Sequence, residues 1–242
     1  IGPETYHDHR DEVDDHRDRL IGLLVHRYLR SKKKPNLIDS KVIVVGIPNT
    51  GCTIHTVLTR VRIVEAGLRI LDSWGLGDLS MRRIADELGV KAGALYYHVP
   101  NKQSLLAGIA DVILTPVAVP DSAATGEWLR SWSHNLRGAL LAHRDGAELV
   151  ASTTALGMGA VDATAAARCL LTERNCSEPA ATATAFLHFI LGHVMSEQTR
   201  TQLVALRVLE AFDAEASRAD FSHGVELLVR GVSCCDPRVV ME

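Results

Sequence analysis

From Leu58 onward, apolar residues recur at every third or fourth position of this 242-residue chain. That spacing places them on one face of an α-helix, whereas strand-like alternation of apolar and polar residues is scarce beyond residue 60. Hydrophobic residues make up 47% of the chain but aromatic residues only 5%, so the core must be built from aliphatic and alanine side chains. These features predict an all-α fold.

Capping residues divide this part of the chain into helices. A first apolar helix ends at Gly75, Ser80 is a suitable N-cap for a second helix, and Asn101 is one for a fourth. A short third helix fits between them at about 91–98, and prolines and small residues make 117–126 a linker. Further amphipathic helices are predicted at 127–143, 146–156, 161–172, 178–198, 202–214 and 221–230.

The first 55 residues have a different composition. Residues 6–19 are almost continuously charged, and a lysine run at 32–34 follows an apolar stretch. No methionine precedes Met81. We therefore expect residues 1–55 to be a poorly ordered extension, or to lie upstream of the true start of the protein.

Charge and cysteine content exclude several classes of protein. The formal net charge is −3, so a nucleic-acid site would have to be a local basic patch. The five cysteines are odd in number and show no C-x-x-C spacing, which is typical of reduced thiols in a cytoplasmic protein. No charge-free apolar run reaches the roughly 18 residues that a membrane helix needs. We expect a cytoplasmic protein without a membrane partner.

The second and third predicted helices have the spacing of a helix-turn-helix. Ala85 is small enough to let a second helix approach closely, and Gly89 supplies the left-handed conformation of a tight turn. Val90 and Leu95 then fill the angle between the two helices. On these residues alone, an ordinary helical hairpin remains an alternative.

A longer block of sequence carries a family resemblance. The stretch LSMRRIADELGVKAGALYYHVPNKQSLLAGIAD, residues 79–111, closely resembles the DNA-binding domain of the TetR family of bacterial transcription repressors. The stretches LRGALLAHRDGAELV and FLHFILGHVMSEQ are similar to the effector-binding and dimerisation domain of the tetracycline repressor subgroup. The resemblance covers about 58–232 and leaves the N-terminal segment unaccounted for.

The resemblance implies a division into domains. A DNA-binding domain of three helices is expected at 56–103, and a helical effector-binding and dimerisation domain at 104–235. A helix at 104–116 connects the two, and 236–242 is a tail. The segments near 178–198 and 221–230 resemble the helices that form the dimer interface of the family.

The resemblance also implies which residues meet DNA, because the second helix of a helix-turn-helix lies in the major groove. Arg82 would project from the first helix, Lys102 would hold a phosphate at the start of the fourth, and the tyrosines would offer hydroxyls to phosphates. His98 could do the same or could bond a local carbonyl. The expected DNA-binding residues are Ser80, Arg82, Lys91, Ala92, Gly93, Ala94, Tyr96, Tyr97 and Lys102.

Base recognition is less clear from the sequence. The run Lys91-Ala92-Gly93-Ala94 occupies the positions at which the family reads base edges, yet three of these four residues cannot form side-chain hydrogen bonds. Direct readout must then come from Lys91, from alanine methyl contacts with thymine, or from Arg82. Close approach of the backbone at Gly93 is a further alternative.

The effector cannot be named from the sequence. The family's histidine and glutamate that hold a magnesium–tetracycline chelate fall on Val150 and Ser196 here, so neither Mg-tetracycline nor any other cofactor or metal is expected. We therefore expect a small-molecule effector of another kind. The candidate pocket residues are His134, Thr153, Thr154, His188 and Ser196.

The resulting prediction is a non-enzymatic, effector-released repressor that binds a near-palindromic double-stranded operator as a homodimer. One alternative is a constitutive DNA-binding regulator. Another is a nucleotide-binding protein, because Gly46 to Thr53 nearly matches a phosphate-binding loop, although Cys52 replaces its lysine. A charged N-terminal cluster is also a weak metal-site candidate, formed by His7, Asp8, His9, Asp14, Asp15 and His16.

Overall fold

The computed structural model describes residues 58–121 and 124–234, and all regular secondary structure in that part is helical. The extension, the loop Gly46 to Thr53 and the N-terminal histidine cluster lie outside the described residues. The prediction of an all-α fold is confirmed. In chain order the helices are α1 (Arg60–Trp74), α2 (Met81–Glu87), α3 (Ala92–Leu95), α4 (Lys102–Leu114), α5 (Thr125–Leu141), α6 (Gly146–Ala155), α7 (Ala165–Glu173), α8 (Pro179–Ala205) and α9 (Ala214–Cys234).

Helices α2 and α4 each begin after a residue whose side chain caps the helix N-terminus. The Ser80 hydroxyl accepts a hydrogen bond from the Arg83 amide at 3.2 Å, and the Asn101 carbonyl oxygen accepts one from the Ser104 amide at 2.8 Å. Each bond satisfies an amide that has no partner within its own helix. Both predicted caps are therefore confirmed.

The last two helices differ from the sequence prediction. Helix α8 continues without a break past the predicted end at residue 198 and ends at Ala205. The separate helix predicted at 202–214 is therefore wrong: residues 206–213 are not helical, and Arg207 has a φ of +58°. No glycine or proline interrupts α8 near residue 200, and the Thr201 hydroxyl donates to the Glu197 carbonyl at 2.9 Å. Helix α9 begins at Ala214 rather than at residue 221.

Helix α4 connects the two ends of the molecule. It packs against both α1 and α6. A Cβ at Gly67 of α1 would lie 2.7 Å from the Ile109 Cδ1 atom, so this glycine allows α1 and α4 to approach closely. The apolar face of α4, including Leu105, is buried in a core that continues from α1 to α9.

A polar turn fastens α1 to the helices that follow α4. The Asp72 carboxylate, near the end of α1, lies 3.1 Å from His143 Nδ1 and accepts a bond from the Arg144 amide. Asp145, which has a φ of +54°, accepts a bond from the Leu76 amide at 2.7 Å. The turn between α5 and α6 therefore holds the end of α1 directly.

Helices α5, α8 and α9 pack against one another. Two contacts set their spacing. A Cβ at Gly224 of α9 would lie 2.2 Å from the Phe189 ring of α8, so any other residue would force this ring to move. Arg137 of α5 donates two bonds to the Glu197 carboxylate of α8, at 2.9 and 2.7 Å, and both residues are buried. None of the described helices is long and apolar enough to cross a membrane.

Candidate functional site

The helix-turn-helix consists of α2, a tight turn and the single-turn helix α3. Gly89 has a φ of +65°, as the turn requires, and the Val90 amide donates to the Ala85 carbonyl at 2.9 Å. Leu95 is fully buried and anchors α3. The predicted third helix is shorter than expected, because after Leu95 the chain forms a turn up to His98.

Three cations beside this motif have no ionic partner in the part of the chain that the structure describes. They are Arg82 in the first turn of α2, Lys91 just before α3, and Lys102 at the first position of α4. Neighbouring arginines are engaged instead: Arg83 pairs with Asp78, and Arg69 pairs with Glu87. The unpaired charges thus lie at the starts of three consecutive helices.

The small residues of α3 are not equivalent. Gly93 is exposed, as is Lys91, whereas Ala92 and Ala94 are half-buried and pack against the core. A Cβ at Gly93 would meet no atom of the described chain within 4 Å. Packing within the protein therefore does not require glycine at this position.

The aromatic turn after α3 faces outward. Tyr96 is 51% exposed and Tyr97 is 57% exposed, so neither ring is a core residue. His98 lies edge-on to Tyr97, with 6.3 Å between the ring centroids. Its Nε2 atom is buried and has no hydrogen-bond partner among the described residues.

A cavity of about 440 Å³ lies between α4, α5 and α7. Most of its wall is apolar, and its polar groups are Thr115 and Asp162. Burial raises the pKa of the Asp162 carboxyl, but bonds from Thr164 and Arg168 outweigh burial and hold the pKa below its usual value. The lining residues are Leu114, Thr115, Val117, Val119, Trp132, Leu136, Ala160, Val161, Asp162, Ala163, Ala165 and Ala166.

Comparison with known proteins identifies the family. Residues 63–109 match the model described as bacterial regulatory proteins of the tetR family, and residues 120–230 match the tetracycline repressor-like C-terminal domain. The tetracycline repressor protein class D of Escherichia coli is 30% identical over 194 residues, which cover 72% of this chain and 88% of that repressor. The chain belongs to the TetR family. It is a DNA-binding transcription regulator, and α2 and α3 form its helix-turn-helix.

Solved structures of TetR-family regulators share its architecture. The crystal structure of BioQ with its natural double-stranded DNA operator has a TM-score of 0.62 and 34% identity, and covers 73% of this chain and 99% of BioQ. The Streptomyces coelicolor protein ActR in complex with actinorhodin has a TM-score of 0.61 and 26% identity, and covers 75% of this chain and 100% of ActR. The predicted family is therefore confirmed.

The five pocket residues predicted from the sequence do not line the cavity of this TetR-family regulator. Thr154, His188 and Ser196 are exposed. Thr153 is buried, and its hydroxyl donates to the carbonyls of α6 at 3.0 Å. His134 lies 5.2 Å from the Phe221 ring, and burial, followed by the charges of Arg137 and Arg218, lowers the pKa of its imidazole.

Sequence reasoning missed the cavity because it looked for polar side chains on helices. The wall instead consists of apolar residues from the end of α4, the middle of α5 and the loop before α7. One signal was present: Asp111 is a lone carboxylate in the apolar run AGIADVIL, and a buried carboxylate requires specific partners.

Proposed function

We propose that this TetR-family regulator is a repressor that holds its operator through the α2–α3 surface and releases it when a small molecule fills the cavity. The observation that carries the DNA-binding part is the set of three unpaired cations, Arg82, Lys91 and Lys102, beside two exposed tyrosines. Phosphates attract such unpaired cations, and the start of α4 adds backbone amides at Lys102. The nine residues expected from the sequence remain the proposed contacts.

The outer faces of α8 and α9 support a homodimer. Exposed residues on α8 recur at helical spacing and are mostly small, as at Ala181, Ala185 and Gly192. Cβ atoms at Gly192 and at Gly231 of α9 would meet nothing within 4 Å, and Leu227 of α9 is 55% exposed. Two copies packed on this face would present their α3 helices to a near-palindromic operator, about 34 Å apart.

Gly93 offers a direct test of operator reading. Gly93→Ala is expected to keep or raise the free energy of unfolding, by about 1 kcal/mol, because alanine favours helix and its Cβ has free space. Operator affinity is expected to fall about tenfold or more, because that Cβ would separate α3 from the base edges. Fluorescence anisotropy with labelled operator and urea denaturation measure the two effects.

Gly138→Ala is the matched control, because Gly138 is an exposed helical glycine of α5 with equally free space. It is expected to change stability in the same way and to leave operator affinity unchanged. Equal operator affinity for the Gly93 variant and the wild type would contradict close backbone approach.

The cavity supports an apolar or aromatic effector rather than a metal chelate. Trp132, Leu136 and Val161 offer an apolar wall, and the bonds from Arg168 and Thr164 already occupy Asp162. ActR, whose fold this chain shares, has been crystallised with the small molecule actinorhodin. Mg-tetracycline is not proposed, because Val150 is a fully buried apolar residue and Ser196 has no carboxylate.

A side chain that fills the cavity can stand in for the unidentified effector. Ala166→Phe, at a half-buried position of the cavity wall, is expected to weaken operator binding about tenfold or more while the dimer persists. Ala155→Phe, at an exposed position outside the wall, is the control and should bind as the wild type does. Unchanged affinity of the Ala166 variant would favour a constitutive regulator.

A further inference from the structure

A buried carboxylate on α4 fastens the loop between α6 and α7. The Oδ1 atom of Asp111 accepts two hydrogen bonds, from the Ala160 amide at 2.6 Å and from the Val161 amide at 2.8 Å. Asp111 is only 6% exposed. Gly159 has a φ of +106°, and a Cβ there would lie 3.2 Å from Asp111 Oδ1, so the loop backbone passes very close to the carboxylate.

The loop held in this way is a wall of the cavity. Ala160 and Val161, whose amides bond Asp111, both line it, as does Thr115 at the end of α4. The Thr115 hydroxyl donates to the Asp111 carbonyl at 2.6 Å. One cluster of bonds therefore joins the cavity wall to the last turn of α4.

The other end of α4 lies at the proposed DNA-binding surface. The helix runs for 13 residues from Lys102 to Leu114, a length of about 20 Å. Its middle is packed against α1, where Gly67 meets Ile109. A shift at the cavity end therefore also changes the position of Lys102.

We propose that Asp111 is the positioning residue that transmits occupancy of the cavity to the DNA-binding surface, an inference that rests on the proposed function. A molecule in the cavity would push the segment Ala160–Val161. Asp111 would follow it, because breaking the bonds to these two amides would cost a buried carboxylate two hydrogen bonds. Helix α4 then moves as a unit, and Lys102 leaves its phosphate.

A double-mutant cycle distinguishes this role from a purely structural one. The operator dissociation constant is measured with and without Ala166→Phe in four backgrounds: wild type, Asp111→Leu, Asp111→Ser and Asp111→Asn. Leucine has no acceptor, and the shorter serine side chain places its oxygen too far from the two amides. Asparagine keeps an oxygen at the Oδ1 position. The Phe substitution is expected to weaken binding about tenfold or more in the wild type and in Asp111→Asn, but less than about threefold in the other two.

The outcomes separate the two proposals. If Ala166→Phe weakens binding by the same factor in every background, Asp111 does not transmit the signal, while the proposed function stands. If the Phe substitution has no effect in the wild type, the proposed function fails and the inference fails with it. Both Asp111→Leu and Asp111→Ser are included so that, if one of them misfolds, the other can still be compared with Asp111→Asn. Circular dichroism measures the helical content of each variant.

Discussion

Lys102→Ala is expected to weaken operator binding about 30-fold at roughly 0.15 M salt, whatever the operator sequence. Lys102 has no ionic partner among the described residues and lies at the start of α4, so alanine there removes only a proposed phosphate contact. A homodimer loses one such contact in each half-site. The slope of log affinity against log salt should therefore become shallower by about two, and Arg82→Ala should behave in the same way.

Arg69→Ala is the matched control for these variants. Arg69 is also an exposed arginine of the first helices, but it pairs with Glu87 at 3.6 Å and is not among the proposed contacts. Salt titrations of all three variants, followed by fluorescence anisotropy, should show a wild-type slope for Arg69→Ala. A wild-type slope for Lys102→Ala would contradict its role at a phosphate.

Glu197→Ala is expected to lower the free energy of unfolding by about 3–5 kcal/mol. The buried Arg137 guanidinium donates hydrogen bonds to both carboxylate oxygens of Glu197, and its Nε atom has no hydrogen-bond partner among the described residues. Without the carboxylate, this charge would stay buried between α5 and α8, with the centroid of the Phe221 ring 5.3 Å from its central carbon. Urea denaturation at neutral pH measures the loss.

A second ion pair with two hydrogen bonds, between α5 and α9, provides the control. Arg130 of α5 donates two bonds to Glu226 of α9, at 2.7 and 3.1 Å, but this pair is on the surface. Glu226→Ala should therefore cost much less stability than Glu197→Ala, because water replaces the lost partner. The double variant Arg137→Met with Glu197→Leu should recover most of the loss. If Glu197→Ala and Glu226→Ala lower the free energy of unfolding by similar amounts, burial does not determine how much each ion pair stabilises the fold.

The two ends of the molecule depend on different kinds of interaction. The proposed DNA contacts depend on unpaired cations, whose attraction to phosphates is reduced by salt. Helices α8 and α9, which carry the proposed dimer face, and α5, which packs against them, depend instead on a buried ion pair and on close contacts such as that between Gly224 and Phe189. Raising the salt concentration should therefore weaken operator binding while changing the free energy of unfolding much less.

Short-range signals in the sequence were sufficient for the first half of the fold. The caps at Ser80 and Asn101 and the left-handed Gly89 lie where the sequence predicts them, because each depends on a few neighbouring residues. The same reasoning failed at the end of α8. A polar stretch near Thr201 looks like a break, but Gln202 reaches across to Asp145, and this distant partner lets α8 continue to Ala205.

The sequence by itself therefore determined the helical class, the family and the residues of the DNA-binding motif, since all of these are encoded in local periodicity and in one contiguous block. Only the tertiary structure decided where the cavity lies and what holds its wall. Its lining joins Leu114, Trp132 and Val161, which are far apart in the chain and individually unremarkable apolar residues. Asp111 stands out in the sequence as a charge in an apolar helix, but its partners are backbone amides 49 and 50 residues away, which no local pattern can reveal.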